Sequence, residues 1–218
     1  MKKFFLALIL FFLTATFAFA DVIPSTTKSI KHYGFGVLNM KNSFCVYEQP
    51  SETSKVLKKI DFEVDSRYQP VLGEPRSYDN TLIVYSPSKS IALIAVLSNS
   101  EDGWYEVYYD QKNGYTGWVK QTDINAFKTW RNAFYDWGKK NGLYFFKDVP
   151  DEKRRLYSQD SLDSQALETF AYPKYINFSM IRGNWMLVSV LDIGQYTKIG
   201  WVKWREDDGT LLLFPSFK

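Results

Sequence analysis

Two stretches of the chain alternate apolar and polar positions with a period of two, and they overlay. Trp104, Tyr105, Val107 and Tyr109 fall on Trp185, Met186, Val188 and Val190, the pattern of a strand with one side in a core. In the first copy Tyr105, Val107 and Tyr109 are expected to face the core, and Trp104, Glu106 and Tyr108 to face away from it. A turn follows each strand. In the first copy it is Asn113-Gly114, a strong type I′ hairpin signal, and in the second the looser Gly194-Gln195. Second strands then open with Gly117-Trp118-Val119-Lys120 and Gly200-Trp201-Val202-Lys203. Upstream, FCVYEQPSE (Phe44 to Glu52) overlays YFFKDVPDE (Tyr144 to Glu152) with Pro50 and Pro150 in register, each reading as a strand that runs into a Pro-led turn.

The copies are unequally decorated. The first carries an extra segment from Pro70 to Ser90, with its own predicted strand at Thr81 to Tyr85 ended by Pro87. Between the copies, Asp123 can cap a helix on which Ile124, Phe127, Phe134 and Trp137 share one face before Gly138. At the C-terminus a hairpin turned at Asp208-Gly209 supplies a last strand. The first twenty residues differ from all of this: Lys2 and Lys3, an apolar run from Phe4 to Leu13, and Ala18-Phe19-Ala20 before Asp21 form a secretory signal. The expected layout is a signal peptide at 1–20, an N-terminal extension at 21–34, a first domain at 35–122 with its insert at about 70–90, a connector helix at 123–141 and a second domain at 142–218. Each copy is expected to hold its own cooperative core.

A strand, a Pro-turn and a strand, followed by GWYEV, a hairpin and GWV, resembles the bacterial SH3 domain family, SH3b, whose members are exported small β-barrels. The resemblance covers Phe35 to about Thr122 and, more weakly, Gly142 to Phe214. It implies a mainly β fold of two SH3-like small β-barrels joined by a short amphipathic helix. It also implies a role as a wall-binding module or a periplasmic adaptor. The long first insert and Asn184, between Gly183 and Trp185, depart from the family pattern. In this reading, glycine ahead of tryptophan relaxes the backbone where the strand bends.

Composition narrows the function further. Hydrophobic residues are 45% and aromatics 18% of 218, enough for a real core and biased toward strands. Without Lys2 and Lys3, 25 basic residues face 24 acidic ones, so the exported chain carries a net charge of +1. Such a balance argues against nucleic acid as a partner. Cys45 is the only cysteine, which excludes an internal disulfide, and its SFCVY setting predicts a buried thiol. A wall peptidase of the NlpC/P60 kind needs a cysteine, a histidine and a polar orienting group. Cys45 sits in an apolar strand and His32, the only histidine, in a polar N-terminal stretch, so no catalytic residue, metal or cofactor is expected. Asp61, Glu63 and Asp65 share one strand face, where calcium is the sharper reading and solvation the simpler one. Asp151 to Arg155 reads as a solvated turn.

The aromatic surplus remains. Trp104, Tyr108, Trp118, Trp185, Trp201 and Trp204 are the candidate ligand-binding residues, on the expectation that they are partly exposed at a barrel edge. The chain therefore reads as an exported, periplasmic or extracellular, non-catalytic binding module for cell-wall (peptidoglycan) peptide or glycan. The alternative is a periplasmic structural or adaptor protein that binds another envelope protein. Neither reading requires stable membrane insertion after signal cleavage.

Overall fold

The computed structural model describes residues 33–64, 70–72, 80–86, 89–122, 126–146, 149–169, 175–191 and 197–217. Residues 1–20, His32, Asp65 and the predicted Gly194-Gln195 turn lie outside them. The chain is mainly β, in two curled sheets and one small hairpin. In the first half the strands are β1 (Gly36–Asn39), β2 (Phe44–Tyr47), β3 (Val56–Ile60), β4 (Phe62–Val64), β5 (Pro70–Leu72), β6 (Val84–Ser86), β7 (Ile91–Asn99), β8 (Trp104–Asp110), β9 (Tyr115–Lys120) and β10 (Ala126–Thr129). In the second they are β11 (Leu143–Phe145), β12 (Arg155–Tyr157), β13 (Ala166–Thr169), β14 (Tyr175–Arg182), β15 (Trp185–Leu191), β16 (Lys198–Lys203) and β17 (Leu213–Pro215). Among the described residues no helix is long and apolar enough to cross a membrane.

The first sheet runs β10-β1-β7-β8-β9-β2-β3, with β6 on β7, and the second runs β17-β11-β14-β15-β16-β12-β13. Matched position by position, these are one path traced twice, and the registers agree. Trp104 faces Lys120 and Val107 faces Gly117, as Trp185 faces Lys203 and Val188 faces Gly200. Even the bulges recur, after Val96 in β7 and after Phe178 in β14. Tyr47, paired with Trp118, therefore corresponds to Tyr157, paired with Trp201.

That equivalence corrects the overlay of Pro50 on Pro150. The true partner of VYEQPSETS is LYSQDSLDS, from Leu156 to Ser164, where two serines build the same turn. Ser54 Oγ accepts from Gln49 N at 2.9 Å and Ser51 Oγ from Thr53 N at 3.3 Å. Ser164 Oγ accepts from Gln159 N at 3.3 Å and Ser161 Oγ from Asp163 N at 3.1 Å. Side-chain oxygens that satisfy local backbone donors shape this loop, and proline is incidental to it.

Three other expectations change. The connector is helical only from 130 to 141, as α-helix Trp130–Ala133, a π-helical turn Phe134–Gly138 and Lys139–Asn141. Thr129 caps it, its hydroxyl accepting from Asn132 N at 3.3 Å, while Ile124 and the expected cap Asp123 lie outside the described residues. Phe127 belongs to strand β10, stacked on Tyr105 at 5.0 Å. The turn after β8 is a four-residue loop closed by the pair Asp110 and Tyr115, with Asp110 accepting from Asn113 N at 3.2 Å. Gly114 alone in that loop has positive φ, +73°, so it is not a type I′ turn. The insert holds two strands, Pro70–Leu72 and Val84–Ser86, the second displaced toward the C-terminus from the Thr81–Tyr85 prediction.

Each half has its own interior, and the second half's cluster extends through the helix to the outer face of the first sheet. Along β7, Ala92, Ile94 and Val96 point into a cluster with Leu38, Val46, Ile60, Val107 and Val119, the interior of the first half. Leu93 and Ala95 point the other way, into a second cluster that takes in Trp130, Ala133 and Phe134 of the helix and the interior of the second half, including Phe178, Met186, Val188 and Phe214. The run IALIAV is thus dry on both faces, and this explains its continuous hydrophobicity. Trp130 joins the halves: its Nε1 donates to Tyr33 O at 2.8 Å and its ring meets Phe214 at 5.5 Å. Trp130→Ala is expected to cost about 3–5 kcal/mol. Amide exchange should rise in β7 and β15 together; faster exchange confined to one half would show that the shared cluster does not couple them.

The glycines of the two GWV strands have a steric task. β2 crosses β9 at Gly117, where a Cβ would sit 2.6 Å from Val46 Cγ1 and 2.9 Å from Tyr47 O. β12 crosses β16 at Gly200, where a Cβ would meet Leu156 Cδ2 at 2.4 Å and Tyr157 O at 2.9 Å. Each hairpin can lie against its sheet only because that side chain is missing. Gly103, ahead of Trp104, instead serves a turn with φ +74° and open space around it. Gly117→Ala and Gly200→Ala should each lose about 1–3 kcal/mol through forced shifts, and Gly103→Ala about 1 kcal/mol from backbone strain alone. Denaturant midpoints check this ranking, and a Gly117→Ala midpoint equal to wild type would remove the crossing explanation.

Candidate functional site

The crossing of β2 over β9 builds a cleft of about 370 Å³ in the first half. In β2, Val46 turns inward, while Phe44, Cys45 and Tyr47 line the cleft. The loop after β2 contributes Glu52, β3 contributes Lys59, the segment before β2 contributes Asn42 and Ser43, and the end of β9 contributes Lys120. Lys120 pairs with Glu52 at 3.0 Å and Lys59 with Asp61 at 2.9 Å, so both signs of charge rim the opening. Tyr47 stands edge-on to Trp104 at 5.5 Å, and Lys120 Nζ lies 6.0 Å from the Trp104 ring. Burial, followed by the neighbouring Cys45 and Glu52, pushes the Tyr47 hydroxyl up, so it stays a neutral donor and acceptor across the physiological range.

Cys45 was expected to be buried. It is half-buried and lines the cleft, because the period-two alternation of β2 puts it opposite Val46. Asp61 is tied to Lys59, and among the described residues no three His, Cys, Asp or Glu side chains gather as metal ligands. In the Asp151 to Arg155 turn, Arg154 is 7% exposed, contrary to the solvated reading, because it takes the position of buried Phe44 in the first half.

The six aromatics of the predicted site divide. Trp104 and Trp204 are buried at 5% and 3% exposure, which corrects their expected exposure. Trp104 is covered by Tyr47, a neighbour that the mistaken Pro50 overlay did not supply. Trp204 is covered by Phe134 of the helix at 5.1 Å, and its Nε1 donates to Gly183 O at 2.9 Å. Tyr108, on the face expected to be outward, packs on the cluster shared by the halves. Trp118 is half-buried opposite Glu106 and Tyr47. Trp185 is half-buried against Tyr157 at 5.4 Å, and Trp201 carries the Arg182 guanidinium over its ring at 5.2 Å. Four of the six, Trp104, Trp118, Trp185 and Trp201, therefore fall in two equivalent corners, Tyr47-Trp104-Trp118 and Tyr157-Trp185-Trp201, and the cleft beside the first is what sequence reasoning missed. The repeated Q-x-S-x-x-S turn, Gln49 to Ser54 and Gln159 to Ser164, was the signal that identifies the corner.

The lysine of the second corner is tied down. Lys203, the counterpart of Lys120, bonds Glu206 at 2.8 Å and Asp207 at 3.3 Å, and Lys153 reaches the same Glu206 at 2.8 Å. Its side chain is 11% exposed against 47% for Lys120. Arg155 stands where Cys45 does in the first corner, and Leu162 where Glu52 does. Burial raises Glu206, but its hydrogen bonds from Lys153 and Lys203 and their charges outweigh this and hold its pKa below the usual range. Burial lowers Lys203, and its bonds to the same two carboxylates more than compensate, raising its pKa. Glu206 therefore adds stability above the ordinary glutamate range that is lost as pH falls through its lowered pKa, and Lys203 adds stability that is lost as pH rises through its raised one. Thermal midpoints should drop below about pH 4, and Glu206→Gln should flatten that acid limb. An acid limb in Glu206→Gln as steep as that of the wild type would take the network out of the explanation.

No family model matches the chain, and no curated protein matches it at a significant level.

Proposed function

We propose that the chain is an exported, non-catalytic binding module of two SH3-like barrels, and that the cleft of the first half takes a cell-wall peptide or glycan. The observation that carries this reading is the cleft itself: about 370 Å³, with an aromatic wall at Tyr47 and a rim holding Glu52, Lys59 and Lys120. That volume suits a small ligand. A rim with both signs of charge matches a peptide that bears carboxylates and an amine, as wall stem peptides do, and the amide of Asn42 adds both donors and an acceptor. The SH3-like reading is supported by the duplicated path and by the hairpin that each half lays across a Gly-Trp strand. The two halves have divided the work: the first keeps an open corner, and the second has converted its corner into an ion-pair lock.

Retention on purified sacculi tests this. Lys120→Glu, at a half-exposed side chain, should weaken retention about tenfold by removing a charge-assisted hydrogen bond. Lys198→Glu in the second half should leave it unchanged. Wild-type protein that passes through sacculi unretained would end the wall reading, and equal loss in both variants would show nonspecific charge attraction in place of a cleft.

A further inference from the structure

Lys120 is a cation of the cleft, and it already has a carboxylate. Glu52, carried by the loop after β2, reaches it at 3.0 Å, and the two side chains are 63% (Glu52) and 47% (Lys120) exposed. Both line the cleft, so their pair joins two of its walls, the hairpin loop and the end of β9. The equivalent lysine of the second half is held differently. Lys203 bonds Glu206 and Asp207, three and four positions further along its own segment, and is mostly covered. Leu162, at the position of Glu52, brings no charge to it. One lysine is thus fixed by its sequence neighbours under cover, and the other is met in water by a residue from a distant loop.

A pair of the second kind is weak. Two long side chains lose freedom to hold one geometry, and water screens their charges, so the pair is worth at most about fivefold in an equilibrium constant. A carboxylate that enters the cleft finds more around Lys120 than Glu52 alone supplies. The ammonium lies 6.0 Å from the Trp104 ring, which positions it whichever carboxylate it takes. The Tyr47 hydroxyl feels both members of the pair: burial first, then Cys45 and Glu52, raise its pKa, and Lys120 lowers it. It stays a neutral donor that can bond an incoming carboxylate. Lys59, cross-strand from Cys45 and paired with Asp61, adds a second ammonium to the lining.

We propose that Glu52 is a built-in competitor for the ligand: it holds Lys120 until the terminal carboxylate of a wall peptide takes its place. This rests on the wall-peptide reading of the cleft and adds to it a chemical group, a position and a selectivity. The exchange is balanced in charge, because Lys120 trades one carboxylate for another and the released Glu52 turns into water or meets an amine of the same peptide. A ligand with no carboxylate gains nothing from Lys120 and leaves the pair in place. Glu52 therefore lowers affinity for the right ligand slightly and denies Lys120 to neutral ones.

Calorimetric titration of the mature chain with N-acetyl-D-alanyl-D-alanine, whose only charge is its carboxylate, and with the C-terminal amide of the same dipeptide tests the proposal. Glu52→Gln should bind the acid about two- to fivefold tighter than the wild type does, and the amide no tighter. Glu52→Ala should repeat the gain. Adding Lys120→Gln to Glu52→Gln should abolish it, because no ammonium is left to release. Glu168→Gln, the same charge change at the pair with Lys198 in the second half, should leave both affinities unchanged. Equal gains for acid and amide overturn the proposal, as does a gain that survives Lys120→Gln, or an acid that neither wild type nor Glu52→Gln binds at millimolar concentration. Sacculi separate this failure from that of the wider reading: wild type retained on sacculi alongside any of these results overturns the competitor alone, and wild type that passes through unretained ends the wall reading with it.

Discussion

Burial of β7 on both faces is the constraint that the rest of the molecule satisfies. A strand with Ala92, Ile94 and Val96 on one side and Leu93 and Ala95 on the other has no solvated face, so it needs a dry layer on each side. The first layer is the interior of its own half, closed by the β2–β3 hairpin. The second draws in part on the same half, through Tyr33, Val37 and Val84. The rest comes from the helix at 130–141 and the second half, held there by Trp130, whose indole is both hydrogen-bonded and ringed by aromatics. The helix is therefore a layer of the core as much as a link between two units.

Duplication then allowed divergence. Both halves share the same strand path, the same bulges and the same glycine at the crossing, so the corner between hairpin and sheet exists twice. In one corner the lysine is half-exposed beside a cleft; in the other it is locked between two carboxylates. A corner tied down by ion pairs is suited to stability, and a corner with free volume and exposed polar groups is suited to binding. On the proposed reading the first corner binds and the second stabilises, roles that would conflict within a single site.

The same asymmetry extends to the outer faces. Covering one sheet face inside the chain made its border polar, since those positions meet water. Among the described residues nothing covers the equivalent face of the second sheet, and its border is aliphatic. Burial and solvation, acting position by position on one inherited register, account for the different side chains at Glu106 and Leu187 or at Thr116 and Ile199.

What the sequence determined by itself was local. Alternation over Trp104 to Tyr109 and Trp185 to Val190 defined β8 and β15, and the mainly β composition and the aligned GWV strands pointed to a duplicated frame, because period-two patterning and β propensity act through near neighbours. Only the tertiary structure decided which faces were covered. Trp104 looks outward by alternation and is buried because Tyr47 arrives from a strand far away in sequence; Cys45 looks buried by composition and lines a cleft because Val46 takes the inward position. Phe127 read as part of an amphipathic helix and became a strand residue because β1 offered it an edge to pair with. In each case the deciding partner is brought in by chain crossing or sheet pairing over a long separation, and a pattern of neighbours carries no record of it.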